Sequence, residues 1–365
     1  MKILFLDTNI GYGGASKMIV WVANQCAKKG HDVTFLTYRD KEVCQTLIPQ
    51  VKLLQKSFEE KNSRGNAIAT VKWLHKYIKT CCFDIGVAFL TPSILRMAIA
   101  AKGTNMKMVF SQRGDPYYAA KCKSLKSKII YLLNTWAFNQ ADGYVFQTQM
   151  AQTYYDKTIQ DRSIVIPNPI RPLQRTEERK GNIRKSFVAV GRLDLKQKRQ
   201  DLMIEAFNTI SVKYPDFKLE IYGHGEDEEK VKLLATSNPN IHLMGKTSNV
   251  VEAIQNAWAT ILSSDFEGIP NALLESMSLG VPSISTDCSP GGAAMLIRNK
   301  ENGLLTPRGN VKALAEAMEY TILHHEETEE MARVGQEVNE LYSGDKISDS
   351  WNSFLDNVFV GKIKK

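Results

Sequence analysis

Short apolar runs alternate along the chain with longer stretches in which apolar side chains recur every three or four positions. Short apolar runs are typical of buried strands, and recurrence at helical spacing is typical of helices with one face against a core. In the first half this pattern predicts strands at 2–7, 32–37, 84–90, 106–111 and 143–147, and helices at 17–29, 71–79 and 128–139. Such an alternation predicts a parallel sheet with helices packed on it.

A proline-rich segment, Ile-Val-Ile-Pro-Asn-Pro-Ile at 164–170, interrupts the pattern, and the charged stretch 171–184 after it reads as a linker. The alternation then restarts, with strands predicted at 186–191, 218–222, 241–244, 260–263 and 283–285, and helices at 201–212, 226–235, 250–257, 271–279 and 311–319. A chain of 365 residues is also too long for one ordinary core. We therefore predict two α/β domains, at 1–168 and 169–345, and a final helix at about 346–365.

Two glutamates eight positions apart, Glu267 and Glu275, flank the start of a predicted helix. Pro270 suits the first helical position, so Glu267 and Gly268 should lie in the preceding turn and Glu275 inside the helix. The N–H groups at a helix start can bind an anion, and Gly268 allows a ligand to approach the backbone. Carboxylates on both sides of an anion site suit a ligand with hydroxyls and phosphates, such as a nucleotide sugar. An ordinary capped surface helix is the alternative.

A glycosidase pair is a second interpretation of the two acids. On one helix they would stand about 12 Å apart along its axis. Glycosidase carboxylates need roughly 5–9.5 Å. This comparison counts against simple hydrolysis.

Glycine turns follow three other predicted strands. The first contains Gly11, Gly13 and Gly14, but position 16 is Ser where a dinucleotide fingerprint needs Gly, so hydride transfer is not predicted. The second and third are centred on Gly191 and Gly223. Glycines permit φ > 0 and close backbone approach, although a plain tight turn is the alternative.

Cations follow the second of these turns. Arg192 comes directly after Gly191, and Lys196 and Lys198 follow within a few residues. Fixed cations aimed at a departing pyrophosphate stabilise its growing negative charge. An exposed basic loop without a ligand is the alternative.

The run Glu267-Gly-Ile-Pro-Asn-Ala-Leu-Leu-Glu275, supported by Gly191-Arg-Leu and Gly13-Gly14-Ala, resembles glycosyltransferase family 4, the retaining sugar-nucleotide transferases with the GT-B fold. The resemblance implies two Rossmann-like domains facing each other across a cleft, and a final helix that packs back on the first domain. It also implies a transferase that moves a sugar from a UDP- or GDP-sugar to a lipid-linked or growing surface polysaccharide. A sugar-nucleotide epimerase or phosphorylase on the same fold, and a non-catalytic basic surface-binding protein, are the alternatives.

By that resemblance, Glu267 holds the sugar hydroxyls and Glu275 the ribose hydroxyls. The diphosphate is expected to lie against Arg192, Lys198 and the backbone of Gly268, Ile269, Pro270 and Asn271. The same resemblance places Gly13, Gly14, Gly191 and Gly223 around the donor.

The sequence departs from the family pattern in two places. Arg199 stands where the family usually has Gly, which leaves Lys196 as a rival of Lys198 for the diphosphate. The first domain lacks the usual histidine, so Arg113 or Asp115 is the candidate for a sugar or acceptor contact.

Charge is divided unevenly between the halves. Residues 1–168 carry 23 Lys/Arg against 11 Asp/Glu, a net +12, whereas 169–365 carry 24 against 28, a net −4. Nucleic acid, an anionic bilayer surface with a lipid-linked acceptor, or no partner would each be compatible with the basic half. The lysines at 121, 123, 126 and 128 precede an apolar, Trp-containing helix, which favours the bilayer unless that helix is simply core. We therefore expect contact with a membrane surface and none with nucleic acid.

The remaining composition bears on location and cofactors. No apolar run approaches the roughly 20 residues of a membrane span, and the first residues do not have the pattern of a signal peptide. Six cysteines without metal or redox spacing indicate a reducing compartment. We expect a cytoplasmic enzyme, peripheral on the membrane, that needs no metal or other cofactor.

Overall fold

The computed structural model describes residues 1–11, 13–39, 43–58, 63–119, 124–170, 173–176, 178–179 and 181–363. The lysines at 121 and 123 lie outside these ranges. The chain divides into two compact units. Unit 1 comprises Met1–Pro167 with Asp345–Lys365, and unit 2 comprises Asn168–Gly344.

Unit 1 is built on a parallel sheet in the order β3-β2-β1-β4-β5-β6-β7. Its strands are β1 (Lys2–Asp7), β2 (Asp32–Thr37), β3 (Val51–Gln55), β4 (Ile85–Ala88), β5 (Lys107–Gln112), β6 (Gly143–Phe146) and β7 (Ser163–Val165). Its first helices are α1 (Gly14–Lys28), α2 (Ser63–Cys81), α3 (Thr91–Ala100), α4 (Pro116–Ala119), α5 (Leu125–Phe138), α6 (Gln149–Thr153) and α7 (Lys157–Gln160). The central strands are buried on both faces because helices cover the sheet, which explains their continuous apolar sequence.

Unit 2 repeats this plan with the order β10-β9-β8-β11-β12-β13. Its strands are β8 (Arg184–Val190), β9 (Lys218–Tyr222), β10 (Ile241–Gly245), β11 (Ala257–Leu262), β12 (Ser283–Thr286) and β13 (Leu304–Thr306). Its helices are α8 (Gln200–Ser211), α9 (Glu228–Ala235), α10 (Val250–Ile254), α11 (Asn271–Ser278), α12 (Gly292–Leu296), α13 (Val311–Leu323), α14 (His325–Gly335) and α15 (Val338–Leu341). Each pairing in this sheet is parallel.

The last helix, α16 (Gly344–Phe359), buries one face in the core of unit 1. Trp351 and Leu355 are fully buried there, and Phe354 and Val358 almost so. Phe354 and Val358 come so close to Gly143 that a Cβ at that glycine would lie 3.0 Å and 2.8 Å from their side chains. These residues lie on one face of α16, the face that the spacing of its apolar positions predicts to be buried.

The sequence pattern did not predict three strands, β3, β7 and β13, or two helices of ten or more residues, α3 and α14. The strand β3 lies at an edge of its sheet and exposes most of its side chains, so its sequence lacks a continuous apolar run. The strands β7 and β13 have only three residues each, which is too short for a periodicity. The helix α3 was missed although its sequence is largely apolar, because a short apolar segment does not distinguish helix from strand.

The charged stretch after the double proline is not a plain linker. The guanidinium of Arg175 donates to the carbonyls of Gln255 and Gly280, at 3.2 and 3.0 Å, and also to that of Leu279. Arg179 is buried, donates to the Ala257 carbonyl at 2.6 Å and is paired with Glu329. The linker prediction was wrong here because arginines that look solvated in sequence donate to backbone carbonyls near the start of β11 and after the end of α11.

Candidate active site

In unit 2 the candidate residues gather at the carboxyl edge of the sheet, where β8 and β11 lie side by side. The strand β8 is the first strand of this sheet in the sequence, and later strands lie on both of its sides. In open α/β sheets, ligands bind at such a switch point. Gly191 and Arg192 directly follow β8, and Glu267 lies in the turn after β11.

Glu267 and Lys198 form an ion pair in this turn. The Lys198 ammonium contacts the Glu267 carboxylate, and their side chains are only 18% and 12% exposed. The hydroxyl of Ser264 donates to the same carboxylate oxygen at 3.0 Å. Because the pair is largely shielded from water, it interacts more strongly than a surface salt bridge. The two residues that the sequence assigns to sugar and diphosphate are therefore in contact.

The Lys198 loop is bonded along its length to the Glu267 turn. Gln197 accepts from the backbone N–H of Asp265 at 2.8 Å, and its side chain donates to the Phe266 carbonyl at 3.1 Å. The Ser263 hydroxyl lies 2.8 Å from the Lys198 carbonyl. These supporting residues were missed from the sequence, because polar residues of a loop reveal their partners only after folding.

The helix α11 begins at Asn271, so Pro270 is its N-cap and not its first residue as predicted. Pro270 is extended at φ −74° and ψ 103°, and a proline that precedes the helix still fixes the direction of its entry. The first N–H groups of the helix point out of its start toward the turn that contains Gly268 and Ile269. Glu275 lies in the second turn of α11 and is partly exposed.

Gly223 and Gly292 are among the glycines of unit 2 that lie too close to neighbouring backbone to carry a Cβ. A Cβ on Gly223, which has φ +149°, would lie 1.8 Å from the Gly191 carbonyl oxygen. A Cβ on Gly292 would lie 1.5 Å from that of Gly268. Gly292 was not among the predicted site residues, although the run Ser-Pro-Gly-Gly at 289–292 contains a turn motif that could have indicated it.

The other cations of the loop lie further out. The Arg192 side chain is 60% exposed, pairs with Asp194 at 3.0 Å and donates to the Gln197 side chain at 2.8 Å. Lys196 is exposed, whereas Lys198 is the lysine at Glu267. Of the two lysines, Lys198 is therefore the one that contacts Glu267.

In unit 1 the glycine turn follows β1, which is the switch point of that sheet because β1 lies between β2 and β4. Gly13 caps α1 at φ −65° and ψ 152°, so the prediction of φ > 0 was wrong for this glycine. A Cβ there would have none of the described residues within 4 Å, apart from its two chain neighbours. Gly14 is the first residue of α1. The turn therefore leaves open space beside Gly13 and does not need glycine for its backbone angles.

A buried carboxyl supports this turn. Asp7 accepts from the Thr8 N–H at 2.6 Å and from the Ser16 hydroxyl at 3.2 Å, and Ser16 also accepts from the Gly11 N–H at 3.1 Å. Desolvation raises the pKa of Asp7 to about 6, although these hydrogen bonds oppose the shift. Ser16 thus replaces the third glycine of a dinucleotide motif with a hydroxyl that organises the loop.

The two residues proposed to replace the missing histidine have structural partners of their own. The Arg113 guanidinium lies 4.3 Å from the ring centroid of Phe89 and 5.6 Å from that of Trp351, and burial lowers its pKa to about 9. Asp115 accepts from the Tyr117 N–H at 2.8 Å at the start of α4.

No group of three or more His, Cys, Asp or Glu side chains with a metal-binding arrangement occurs in the part of the chain that the structure describes. Likewise, none of the described helices is long and apolar enough to cross a membrane.

Two family models match the chain and together cover most of it. Residues 12–172 match Glycosyltransferase Family 4, and residues 184–324 match Glycosyl transferases group 1. The chain belongs to the group 1, family 4 glycosyltransferases. It is therefore an enzyme of the glycosyltransferase class, and the family suggested by its acid motif is confirmed.

Relatives align over the whole chain or a large part of it. A Haemophilus influenzae protein called an uncharacterized glycosyltransferase is 25% identical over 97% of this chain and 99% of its own. A Campylobacter jejuni N-acetylgalactosaminyltransferase, whose name specifies an undecaprenyl-diphosphate-linked glycan acceptor, is 24% identical over 98% and 99%. A Methanocaldococcus jannaschii glycosyltransferase is 32% identical over 58% and 56%.

Solved structures with the same fold include the Anabaena protein HepE in complex with UDP-glucose. That structure has a TM-score of 0.78 at 18% identity and covers 98% of this chain and 100% of HepE. A lipopolysaccharide outer core galactosyltransferase, WaaB, has 0.76 at 21%, covering 99% and 100%. These likenesses confirm the predicted GT-B class with two Rossmann-like domains.

Proposed function

We propose that this glycosyltransferase retains anomeric configuration and moves a sugar from a UDP-sugar, without a metal, to a lipid-linked or growing glycan. The observation that carries the proposal is the shielded contact between Lys198 and Glu267 at the switch point of unit 2, beside the start of α11. The UDP-glucose bound to HepE supports a UDP donor over a GDP donor. The acceptor named for the Campylobacter relative supports a glycan on a diphosphate lipid.

In the proposed complex, the diphosphate lies at the start of α11. The backbone N–H groups of Gly268 and Asn271 face it, together with the Lys198 ammonium and the long side chain of Arg192. Glu267, held by Ser264, accepts from sugar hydroxyls. Glu275, one turn further into the helix, accepts from the ribose hydroxyls.

The reaction breaks the bond between the anomeric carbon and the diphosphate oxygen, and forms a bond from the acceptor oxygen to the same carbon. Negative charge grows on the leaving diphosphate, and Lys198 and Arg192 stabilise it. The acceptor hydroxyl attacks from the side of the leaving group and passes its proton to a diphosphate oxygen. Retention then needs no protein nucleophile.

The test begins with thermal shift and calorimetry on UDP-, GDP- and CDP-sugars in EDTA, using the wild type, Glu275→Gln and Lys198→Met. We expect binding of the UDP series only, and weaker binding in both variants. Glu330→Gln is the matched control, because that acid is exposed on α14 and paired with Arg333. Binding of another nucleotide class, or no binding at all, would refute the assigned donor.

Transfer itself is tested with Glu267→Gln, which keeps the shape of the side chain but removes its charge. We expect kcat to fall about 100-fold or more, because charge placed at the reacting sugar acts mainly in the transition state. NMR of the product reports the anomeric configuration. Release of free or epimerised sugar at full rate without acceptor would favour the epimerase or hydrolase chemistry, and unchanged kcat would indicate a non-catalytic role for Glu267.

We also propose that α5 rests on an anionic membrane surface. The helix exposes a set of large apolar side chains in unit 1: Ile129, Ile130, Leu132, Leu133 and Trp136. They are 37–65% exposed, so the interpretation of this segment as plain core does not account for them. An exposed apolar face on a basic domain is typical of interfacial helices.

Sedimentation with phosphatidylglycerol vesicles tests this surface. Leu132→Ser with Leu133→Ser should weaken binding, and raised salt should do the same. Val212→Ser is the control, since Val212 is 84% exposed in unit 2. Equal binding of the double variant and the control would refute the membrane contact.

A further inference from the structure

Arg199 has an unusual backbone conformation beside the candidate active site. It lies at φ 51° and ψ 46°, in the left-handed region, immediately before α8. Side chains with a Cβ are disfavoured there, and such strain persists only where the surrounding contacts hold it. A glycine would adopt this conformation without such strain.

The Arg199 guanidinium joins two carboxylates on different segments. It donates from Nε and Nη2 to Asp201, at 3.1 and 2.9 Å, and from Nη1 to Asp265 at 3.0 Å. Asp201 lies in the first turn of α8, whereas Asp265 is two residues before Glu267. These hydrogen bonds, with the Asp201 bonds as the largest cause, raise the pKa of Arg199 further above its ordinary value.

The bridge adjoins Lys198. On one side of that lysine, Gln197 is bonded to the backbone of Asp265 and Phe266. On the other side, Arg199 is bonded to the Asp265 carboxylate. Lys198 is thus fixed to the Glu267 turn by its neighbours on both sides.

We propose that Arg199 is a positioning residue that holds the Lys198 loop against the Glu267 turn, so that ammonium and carboxylate are in place before the donor arrives. The planar guanidinium suits this role because it donates to two carboxylates at once, which a lysine ammonium on a flexible stem does less well. The inference rests on the proposed donor role of Lys198 and Glu267. It adds a residue that the family pattern does not supply.

Arg199→Gly removes the bridge and at the same time relieves the backbone strain, since glycine adopts the left-handed conformation freely. We expect the variant to fold, with kcat reduced about 10- to 100-fold, the scale of loss caused by misplaced catalytic groups. Asp265→Asn breaks the same bridge at its other end and should give a similar loss. Arg199→Lys should recover only part of the activity.

Lys300→Gly is the matched control. Lys300 is also a non-glycine residue with positive φ, at 65°, in unit 2, and it lies in a turn outside the candidate site. The control should lose a similar amount of backbone strain and keep full activity. A loss of activity shared by both glycine variants would overturn the proposal, because backbone freedom alone would then be the cause.

A double-mutant cycle distinguishes positioning from direct contact. If Arg199 acts through Lys198, Arg199→Gly should change kcat and UDP affinity by no more than about twofold in a Lys198→Met background, because the effects of coupled residues do not add. The full loss in that background would overturn the proposal. So would a wild-type kcat and UDP affinity in Arg199→Gly with only its melting temperature changed.

Failure of the donor assignment would look different. If wild type and Lys198→Met bind UDP equally and turn over at the same rate, the proposed function is wrong at this site and the inference is refuted with it. If Lys198→Met is impaired and Arg199→Gly matches wild type, only the inference about Arg199 is refuted.

Discussion

Two glycine turns, one after β1 in unit 1 and one after β12 in unit 2, are built in opposite ways. In unit 2, Gly292 lies so close to the Gly268 carbonyl that a single added carbon would come within 1.5 Å of it. In unit 1, no described residue other than its chain neighbours lies within 4 Å of the position that a Cβ on Gly13 would take. The space beside Gly292 is thus filled by the backbone of the Gly268 turn, whereas the turn after β1 leaves room beside Gly13.

The two turns also differ in the charged side chains that lie beside them. The Gly292 turn packs against Gly268, whose neighbour Glu267 is paired with Lys198. Hydrogen bonds of the Lys198 loop hold this ion pair in place. The unit 1 turn is supported by Asp7, a carboxyl that burial shifts toward its neutral form. Glycine therefore serves close backbone packing in one turn and open space in the other, although the sequence motifs look alike.

The largest expected effect comes from filling the crowded turn. Gly292→Ala should destabilise unit 2 by about 3 kcal/mol, because the carbonyl of Gly268 must move to admit the methyl group. The movement displaces the start of α11, so UDP affinity should be lost as well. Chemical denaturation and calorimetry measure the two effects. Wild-type stability together with wild-type UDP affinity would show that the backbone contact is not tight.

The next effect concerns the buried carboxyl. Since the pKa of Asp7 is raised from 3.8 to about 6, the folded chain holds a proton that the unfolded chain has released between these pH values. Stability should therefore fall as pH rises through this window, by up to about 3 kcal/mol, and stay lower above it. Asp7→Asn should remove that decline and be the more stable protein at pH 7.

Urea unfolding of both proteins from pH 4 to 8 measures this difference. Asp349→Asn is the control in the same unit, because Asp349 is 64% exposed and makes only a surface pair with Lys29. Stability curves of wild type and Asp7→Asn that run parallel across this range would refute the assignment to Asp7.

The smallest effect on stability comes from the open turn. Gly13→Ser should fold normally and gain a few tenths of a kcal/mol, because serine is the better N-cap and the extended backbone of Gly13 accepts it. If the open space receives the donor, kcat/KM should fall even though stability rises. Unchanged kcat/KM would show that the space beside Gly13 is not used by the substrates.

Much of the fold could be predicted from the sequence because buried parallel strands are continuous apolar runs. The bounds of β1, β2 and β9 agree with the prediction to the residue. The edge strand β3 could not be predicted, since it exposes most of its side chains. The arginines at 175 and 179 were misread as a solvated linker because their partners are backbone carbonyls far along the chain.

For the candidate site, the sequence by itself determined the residue types and the elements that place them. Glu267 after β11, Lys198 after β8 and Glu275 inside α11 follow from local periodicity and turn chemistry. Only the tertiary structure decided that Lys198 and not Lys196 contacts Glu267, that Arg113 packs against Phe89 and Trp351, and that Arg199 bridges two carboxylates. The physical reason is that the contacts with Glu267, with Trp351 and with Asp265 join segments whose separation is set by strand order, which local sequence does not encode.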